Sequence, residues 1–364
     1  MGHDAESTNS AELAVTVSTS LGAARPVGTV AVAQVLPVEL EAALARVRRY
    51  SANTRAENTV RAYDADWRDF GAWCAGHGLE TLPAHPVTVA LYLDALVEAG
   101  RSVSTLARRL AAIAVAHRRA RLDNPATDGA VREAWIGIRR EHGTAQVGKD
   151  PLLVDLLRAL VATLDDGLTG RRDRALLLIG FAGALRRAEL VALTTKDIRF
   201  DGQGLIVTIR RAKTDQQGAG RRLRIPHGER ESTCPVRGLR AWLAITEMST
   251  AGVSVPLFRP IDRWGNLRAT GLTSQSVALI VKRAVEAARD EAVLHGDSEL
   301  AATLDPARFA GHSLRAGLAT SAAIAGATEG EIMDQTGHKS VAMVRRYIRD
   351  ARLSRPNVVK KVGL

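Results

Sequence analysis

The sequence predicts a mainly α-helical protein: an all-helical N-terminal domain, then a mostly helical second domain carrying one small three-stranded antiparallel sheet. Three observations lead there. Apolar residues recur at spacings of three and four through nearly all of residues 37–141. Between 197 and 226 the pattern changes to short β-type runs separated by glycine-rich turns. The chain has 364 residues, 46% of them apolar, enough for two hydrophobic cores.

Residues 1–36 are rich in Ala, Ser, Thr, Val and Gly without a sustained period and are expected to form a disordered tail. The helical domain is expected over 37–141. "NTVRAYDADWRDFGAWC" places Val60, Tyr63, Trp67, Phe70 and Cys74 on one helical face. "PVTVALYLDALVEAG" follows and stops at Gly100, a natural C-cap. Ser102 or Ser104 can cap "TLARRLAAIAVAHRRARL", whose apolar face is Leu106, Leu110, Ile113 and Ala114. Its arginines, among them Arg108, Arg109 and Arg118, point elsewhere, either as solvated surface or toward a polyanion. "TDGAVREAWIGIRREHG" closes the set.

Residues 142–150 read as a linker, and 151–351 as the second domain. Asp150 followed by Pro151 predicts an N-cap and a first helical residue, opening "PLLVDLLRALVATL". "RRDRALLLIGFAGAL" is the next helix. "DIRF", "GLIVTIR" and "RRLRIP" are the three strands, and the helical pattern then resumes to the end. Residues 286–308 are charged and Ala-rich, with no role legible in them. The segment 352–364 is a short tail.

The net charge of +11 and pI near 10.3 point to a polyanionic partner, most simply nucleic acid. Of the 50 Lys and Arg residues only seven are lysines, and arginine is the better two-pronged phosphate clamp. Cys74 and Cys234 stand far apart, which excludes a disulfide framework and any metal-ligand spacing. The longest apolar run, "ALLLIGFAGAL", is too short to span a bilayer. There is no basic segment followed by an apolar core at the N-terminus. A cytoplasmic protein without a membrane contact, cofactor or metal is expected.

Five short stretches carry chemistry. "GALRRAELVAL" sets Arg186 and Glu189 three apart, so the carboxylate can orient the guanidinium. "RRAKTDQQGAGRR" is a strand-to-strand turn with Lys213, a cation able to give up a proton where arginine cannot. "GHSLRAGLAT" puts His312 and Arg315 on one face, a proton exchanger beside a phosphate clamp. "TEGEIMDQTGHKS" opens with a capping box of Thr328 and Glu331 and ends at Gly337, leaving His338 in a tight turn. "VRRYIRD" holds Tyr347, one of four tyrosines. Nine residues on one helix would face His338 and Tyr347 apart; the break at Gly337 lets both enter one pocket.

Each stretch alone fits an ordinary ion pair, solvated charge or packing residue. Their order, Arg…Lys…His-x-x-Arg…His…Tyr, resembles the tyrosine recombinase (phage integrase) family, in its Cre-like branch, over roughly residues 40–355. The family's boxes match Leu185–Leu190, Lys213, His312–Arg315 and Gly337–Tyr347. Arg187 departs from the pattern, standing where a small aliphatic residue is usual. Arg186 takes the arginine's place by register, with Arg187 its rival.

The resemblance implies a site-specific recombinase that cleaves and rejoins DNA through a 3′-phosphotyrosyl link and a Holliday junction. Tyr347 would be the nucleophile. Arg186, Arg315 and His338 would hold the phosphate oxygens. Lys213 would be the general acid, His312 would take the tyrosine proton, and Glu189 would orient Arg186 or His312. A homotetramer on two duplexes with inverted-repeat sites, and a tail docking on a neighbouring protomer, are implied likewise. The helix in "TGLTSQSVALIVKRAV" would enter the major groove, with Ser274, Gln275, Lys282 and Arg283 facing DNA; its first-turn residues also suit simple N-capping. A type IB topoisomerase, or a catalytically silent DNA-binding protein, would use parts of the same set.

Overall fold

Side-chain caps at Ser102, Asp128, Thr273 and Thr328 open helices in the computed structural model, which describes residues 38–52, 57–143, 148–210 and 220–352. The tail 1–36, Lys213 and the last twelve residues lie outside the described residues. The chain divides into two units, with the boundary between 146 and 147.

The first unit is five helices: α1 (Val38–Ala52), α2 (Glu57–Gly76), α3 (Pro86–Glu98), α4 (Val103–Arg119) and α5 (Gly129–Glu141). The three-four periodicity turns Phe70, Cys74, Tyr92, Leu93, Leu106, Ile113 and Val131 into one core. Ser102, not Ser104, caps α4, its hydroxyl accepting from the Thr105 amide at 3.3 Å. Gly100 follows α3 with φ of 65°, the left-handed turn that glycine adopts without a steric penalty.

The second unit holds α6 (Val154–Ala162), α7 (Leu168–Ala182), α8 (Arg187–Ala192), β1 (Ile198–Asp201), β2 (Gly204–Ile209) and β3 (Arg221–Pro226). It continues with α9 (Pro235–Ile245), α10 (Ser274–Leu294), α11 (Ser298–Thr303), α12 (Gly311–Ile324), α13 (Glu329–Thr336) and α14 (Val341–Arg352). The sheet runs β1-β2-β3 and is antiparallel throughout, with Val207 opposite both Ile198 and Leu223. Leu223 and Ile225 point into the core while Arg222 and Arg224 stay outside, the alternation of a half-buried strand. Residues 175–181 of α7 are buried on every face, because α9 and α12 pack against it. The role-less stretch 286–308 contains the end of α10 and the short α11.

Two expectations fail. The helical pattern does not resume unbroken after the sheet: residues 246–273, between α9 and α10, hold no helix, and the chain pairs there through isolated bridges, Thr194 with Pro256 and Ile261 with Leu267. The other concerns the start of the second unit. Asp150 and Pro151 do not start a helix; α6 starts at Val154, with Leu153 as its N-cap. The backbone here bonds elsewhere. The Asp150 amide donates to the Arg308 carbonyl, and the Leu152 amide to the Ser313 carbonyl, each at 2.9 Å. This extended strap lies along α12, and Gly317 makes room for it: a Cβ there would stand 1.8 Å from the Leu152 carbonyl oxygen. Long-range backbone pairing overrides the local capping signal.

Candidate active site

The site is assembled from the end of α7, the start of α8, the end of α13, and residues of α12 and α14, all in the second unit. The first end is the stop of α7. The Leu185 amide bonds back to the Gly180 carbonyl and the Ala184 amide to that of Phe181. This closes the helix with Ala184 in the left-handed region, φ 45°. A non-glycine residue held there stores strain, and it aims the Ala184 carbonyl inward. That carbonyl accepts from Arg315 Nη1 at 2.6 Å.

Arg186 follows as the N-cap of α8. Glu189, on the first turn, accepts the Arg186 amide at 3.0 Å with one oxygen and its guanidinium at 2.6 Å with the other. One carboxylate thus caps the helix and fixes the side chain. The Glu189 side chain is 2% exposed and that of Arg186 19%. Arg187 is exposed and lies over Gly311, where a Cβ would come within 2.5 Å of its side chain.

α12 supplies Arg315 and His312. Arg315 is 1% exposed, and its Nη2 is buried without a hydrogen-bond partner. Burial, then the neighbouring Arg186, pulls its pKa down to about 10; it stays charged at neutral pH. The α13 capping box of Thr328 and Glu331 forms, and Gly337 ends that helix at φ 67°. His338 follows. The Thr336 hydroxyl donates to the Ile332 carbonyl at 2.6 Å, so the 2.7 Å contact with His338 Nδ1 has the ring donating. That tautomer leaves Nε2 of His338 free to act. Burial first, then Arg315, Arg186, His312 and Arg221, hold His338 down to about 4.

Tyr347 lies on α14, 8% exposed. Its ring packs with Ala316, Ala319, Ala323, Ile332 and Val344. Its hydroxyl emerges 3.3 Å from His312 Nε2, and its ring lies 5.7 Å from that of His338. Part of the His312 surface is open to solvent, yet desolvation, then Arg315, Arg187, Arg186 and Arg346, keep it below the ordinary imidazole range. A neutral imidazole beside a phenol can accept its proton.

Arg221 joins the site without a motif to mark it. It opens β3, donates to the Gln335 carbonyl at 3.0 Å and stands 4.0 Å from Glu189. Three guanidiniums therefore surround one carboxylate, and the pocket carries excess positive charge in a partly desolvated place. It is built for an anion. The only sequence sign was a burial-compatible position right after the hairpin turn, indistinguishable among 43 arginines.

The DNA-facing candidates are spread out. Thr273 caps α10 through the Ser276 amide at 3.1 Å, while Ser274 is half-buried and Gln275 exposed. Lys282 and Arg283 are exposed on α10, Arg283 lying 3.9 Å from Asp173. In the first unit Arg118 is exposed. Arg108 pairs with Asp66, and Arg109 with Asp69 and the Tyr92 hydroxyl, so both brace α4 against its neighbours.

Comparison with known proteins gives the family. The phage integrase family model matches residues 152–353, and the phage integrase N-terminal SAM-like domain matches 42–121. The chain is 41% identical to an integrase/recombinase XerD homolog of Selenomonas ruminantium, over 87% of this chain and 89% of the relative. It is 28% identical to the recombinase Cre of Escherichia phage P1, over 81% and 84%. In fold it is similar to the Tn1549 transposon integrase, solved with transposon right end DNA, at TM-score 0.57 and 15% identity over 87% of this chain and 96% of that one. A lambda integrase dimer bound to a core site gives 0.52 and 16%, over 87% and 79%. The ordered boxes, the matched domains and the relatives together place the chain in the phage integrase family, as a tyrosine recombinase, an enzyme of site-specific recombination that cleaves and rejoins DNA.

Proposed function

We propose that Tyr347 is the nucleophile of this recombinase and that the surrounding cations hold the scissile phosphate. The observation that carries the reading is the Tyr347 hydroxyl, 3.3 Å from an imidazole nitrogen whose charging is disfavoured. In the reaction, the Tyr347 oxygen attacks phosphorus as His312 takes its proton. The bond from phosphorus to the 5′-oxygen breaks, leaving a 3′-phosphotyrosyl ester and a 5′-hydroxyl. Arg315 Nη2, buried and unpartnered, and Arg186 meet the non-bridging oxygens as charge builds on them. His338 Nε2 joins them once the phosphate lets it carry a proton.

Lys213 is assigned the proton for the leaving 5′-oxygen by resemblance. The ester conserves the energy of the broken bond, so a 5′-hydroxyl from a partner strand reverses the step without external energy. Four protomers on two duplexes with inverted-repeat sites would pass strands through a Holliday junction, inside the cytoplasm. Among the described residues no helix is long and apolar enough to cross a membrane. The domain division proposed is a DNA-clamping domain at 37–141, a catalytic domain at 151–351 and a tail docking in trans. Ser274, Gln275, Lys282, Arg283 and Arg118 are the proposed DNA-facing residues, with half-exposed Arg108 adding the donors Asp66 leaves open, while Arg109, 11% exposed, is taken up by Asp69 and Tyr92.

The acid assignment has its own test. A 5′-bridging sulfur leaves without needing a proton, because a thiolate is a far weaker base than an alkoxide. Lys213→Ala should cleave the oxygen substrate slowly and the sulfur substrate at the wild-type rate. Equal loss on both substrates removes the acid role from Lys213.

A further inference from the structure

The alternation of β3 puts its first residue, Arg221, on the core face with Leu223 and Ile225, where a guanidinium is out of place. Its side chain is four-fifths buried, and its Nε and Nη2 are buried without hydrogen-bond partners. Leaving guanidinium donors unpaired inside a protein is costly, so the position calls for an explanation.

Its surroundings give one. Nη1 donates to the Gln335 carbonyl in the last turn of α13, at 3.0 Å. A cation at that helix end is favourable, since the terminal carbonyls carry partial negative charge. Gln335 is itself anchored, its side-chain amide donating to the Ala182 carbonyl at 2.7 Å. The guanidinium then covers Gly337, where a Cβ would stand 3.0 Å from both Cζ and Nε. Nη2 faces Glu189 Oε2 at 4.0 Å. Behind Arg221, Gly220 is pressed to Ile209: a Cβ on it would come within 2.8 Å of that carbonyl oxygen. One rigidly based side chain therefore meets the carboxylate that orients Arg186 and the turn that presents His338.

We infer that Arg221 is a positioning residue of the recombination reaction: it sets Glu189 and the Gly337–His338 turn in register from the sheet side of the pocket. The inference rests on the roles proposed for Arg186 and His338. Arg221 need not touch the phosphate. It acts through what it holds, and its charge adds to the field on His338. The groups facing His338 are Thr336 from the end of α13, Arg315 and His312 from α12, Arg186 from the start of α8, Tyr347 from α14, and Arg221 from β3.

The test uses the full chain with Arg221→Gln and Arg221→Lys. The first measurement is the titration of the His338 ring in the free protein, followed by NMR. Arg221→Gln should move the His338 midpoint upward, toward ordinary imidazole, and Arg221→Lys should restore much of the depression. The second is single-turnover covalent linkage to a nicked duplex carrying a target sequence recovered by wild-type capture. Arg221→Gln should slow linkage about 100-fold, as small misplacements of reacting groups do, with DNA affinity little changed. Arg221→Lys should recover at least about tenfold of that. Wild-type linkage by Arg221→Gln overturns the inference. So does an equal loss in both variants with the His338 midpoint unmoved, which is the mark of a structural role alone. If Tyr347→Phe also forms the link, the proposed site chemistry fails instead, and the His338 titration still decides what Arg221 does.

Discussion

Glu189→Gln tests the charge balance of the pocket. Glu189 is the carboxylate set among Arg186, Arg221 and Arg315, with Arg186 Nη1 at 2.6 Å and Arg221 Nη2 at 4.0 Å. At an effective dielectric near 20, one guanidinium about 3 Å away attracts it by roughly 5 kcal/mol. Desolvating the 2%-exposed side chain offsets much of that. Removing one member of a buried pair typically costs about 3–5 kcal/mol, since the other charge is stranded. Glutamine keeps the shape and can still accept the Arg186 amide, so the low end applies, about 3 kcal/mol. For a domain of this size that lowers Tm by about 6–12 °C. The stranded cations should then take an anion more readily. Thermal unfolding in chloride, with and without inorganic phosphate, reads both effects. The variant should fall by that amount in chloride and regain more in phosphate than wild type does. A Tm within about 2 °C of wild type, or an equal phosphate gain in both proteins, would mean that Glu189 does not balance these cations.

Two further outcomes follow from the same structure. His338 is held down to about 4 in the free protein, below its unfolded value near 6.5. Its contribution to stability is therefore full above pH 6.5 and lost as pH falls toward 4. A phosphate beside the ring reverses the shift, so DNA binding should take up a proton in that window and tighten as pH falls through it. Calorimetry in two buffers of different ionisation enthalpy measures this, and His338→Gln should reduce the uptake; no uptake by wild type contradicts it. Gly317→Ala forces a Cβ to within 1.8 Å of the Leu152 carbonyl, so the strap or α12 must move. Denaturant unfolding should show a loss of about 3 kcal/mol or more; a loss under about 1 kcal/mol would mean the strap gives way easily.

Much of this was legible in the sequence, for reasons that can be named. Phe70 and Cys74 repeat at helical spacing, and no competing partner diverts them. The three strands stand between glycine turns, and the register follows from alternation in "RRLRIP". The Thr328 capping box and Gly337 are local devices and form as read. Asp150–Pro151 looked equally local, but the partners of Asp150 and Leu152 lie more than 150 residues downstream, at Arg308 and Ser313. Arg221 failed to show for a similar reason: its meaning comes from Glu189, Gln335 and Gly337, which only tertiary structure brings to it. Arg108 and Arg109 looked like free cations until Asp66, Asp69 and Tyr92 were placed beside them.

The central claim is that Tyr347 forms the bond to DNA. Its ring is buried in an apolar cluster, so Tyr347→Phe keeps the packing and removes only the hydroxyl. Purified protein is incubated with nicked duplexes prepared from the source genome, so that the short 5′-hydroxyl fragment leaves. The mixture is denatured, and DNA still attached to protein is sequenced. Wild-type protein should give adducts through a 3′-phosphate, sharing an inverted repeat around a short spacer, and Tyr347→Phe should give none. Adducts that persist in Tyr347→Phe, or wild-type protein that binds these sites without ever linking to them, would mean that Tyr347 does not form the bond.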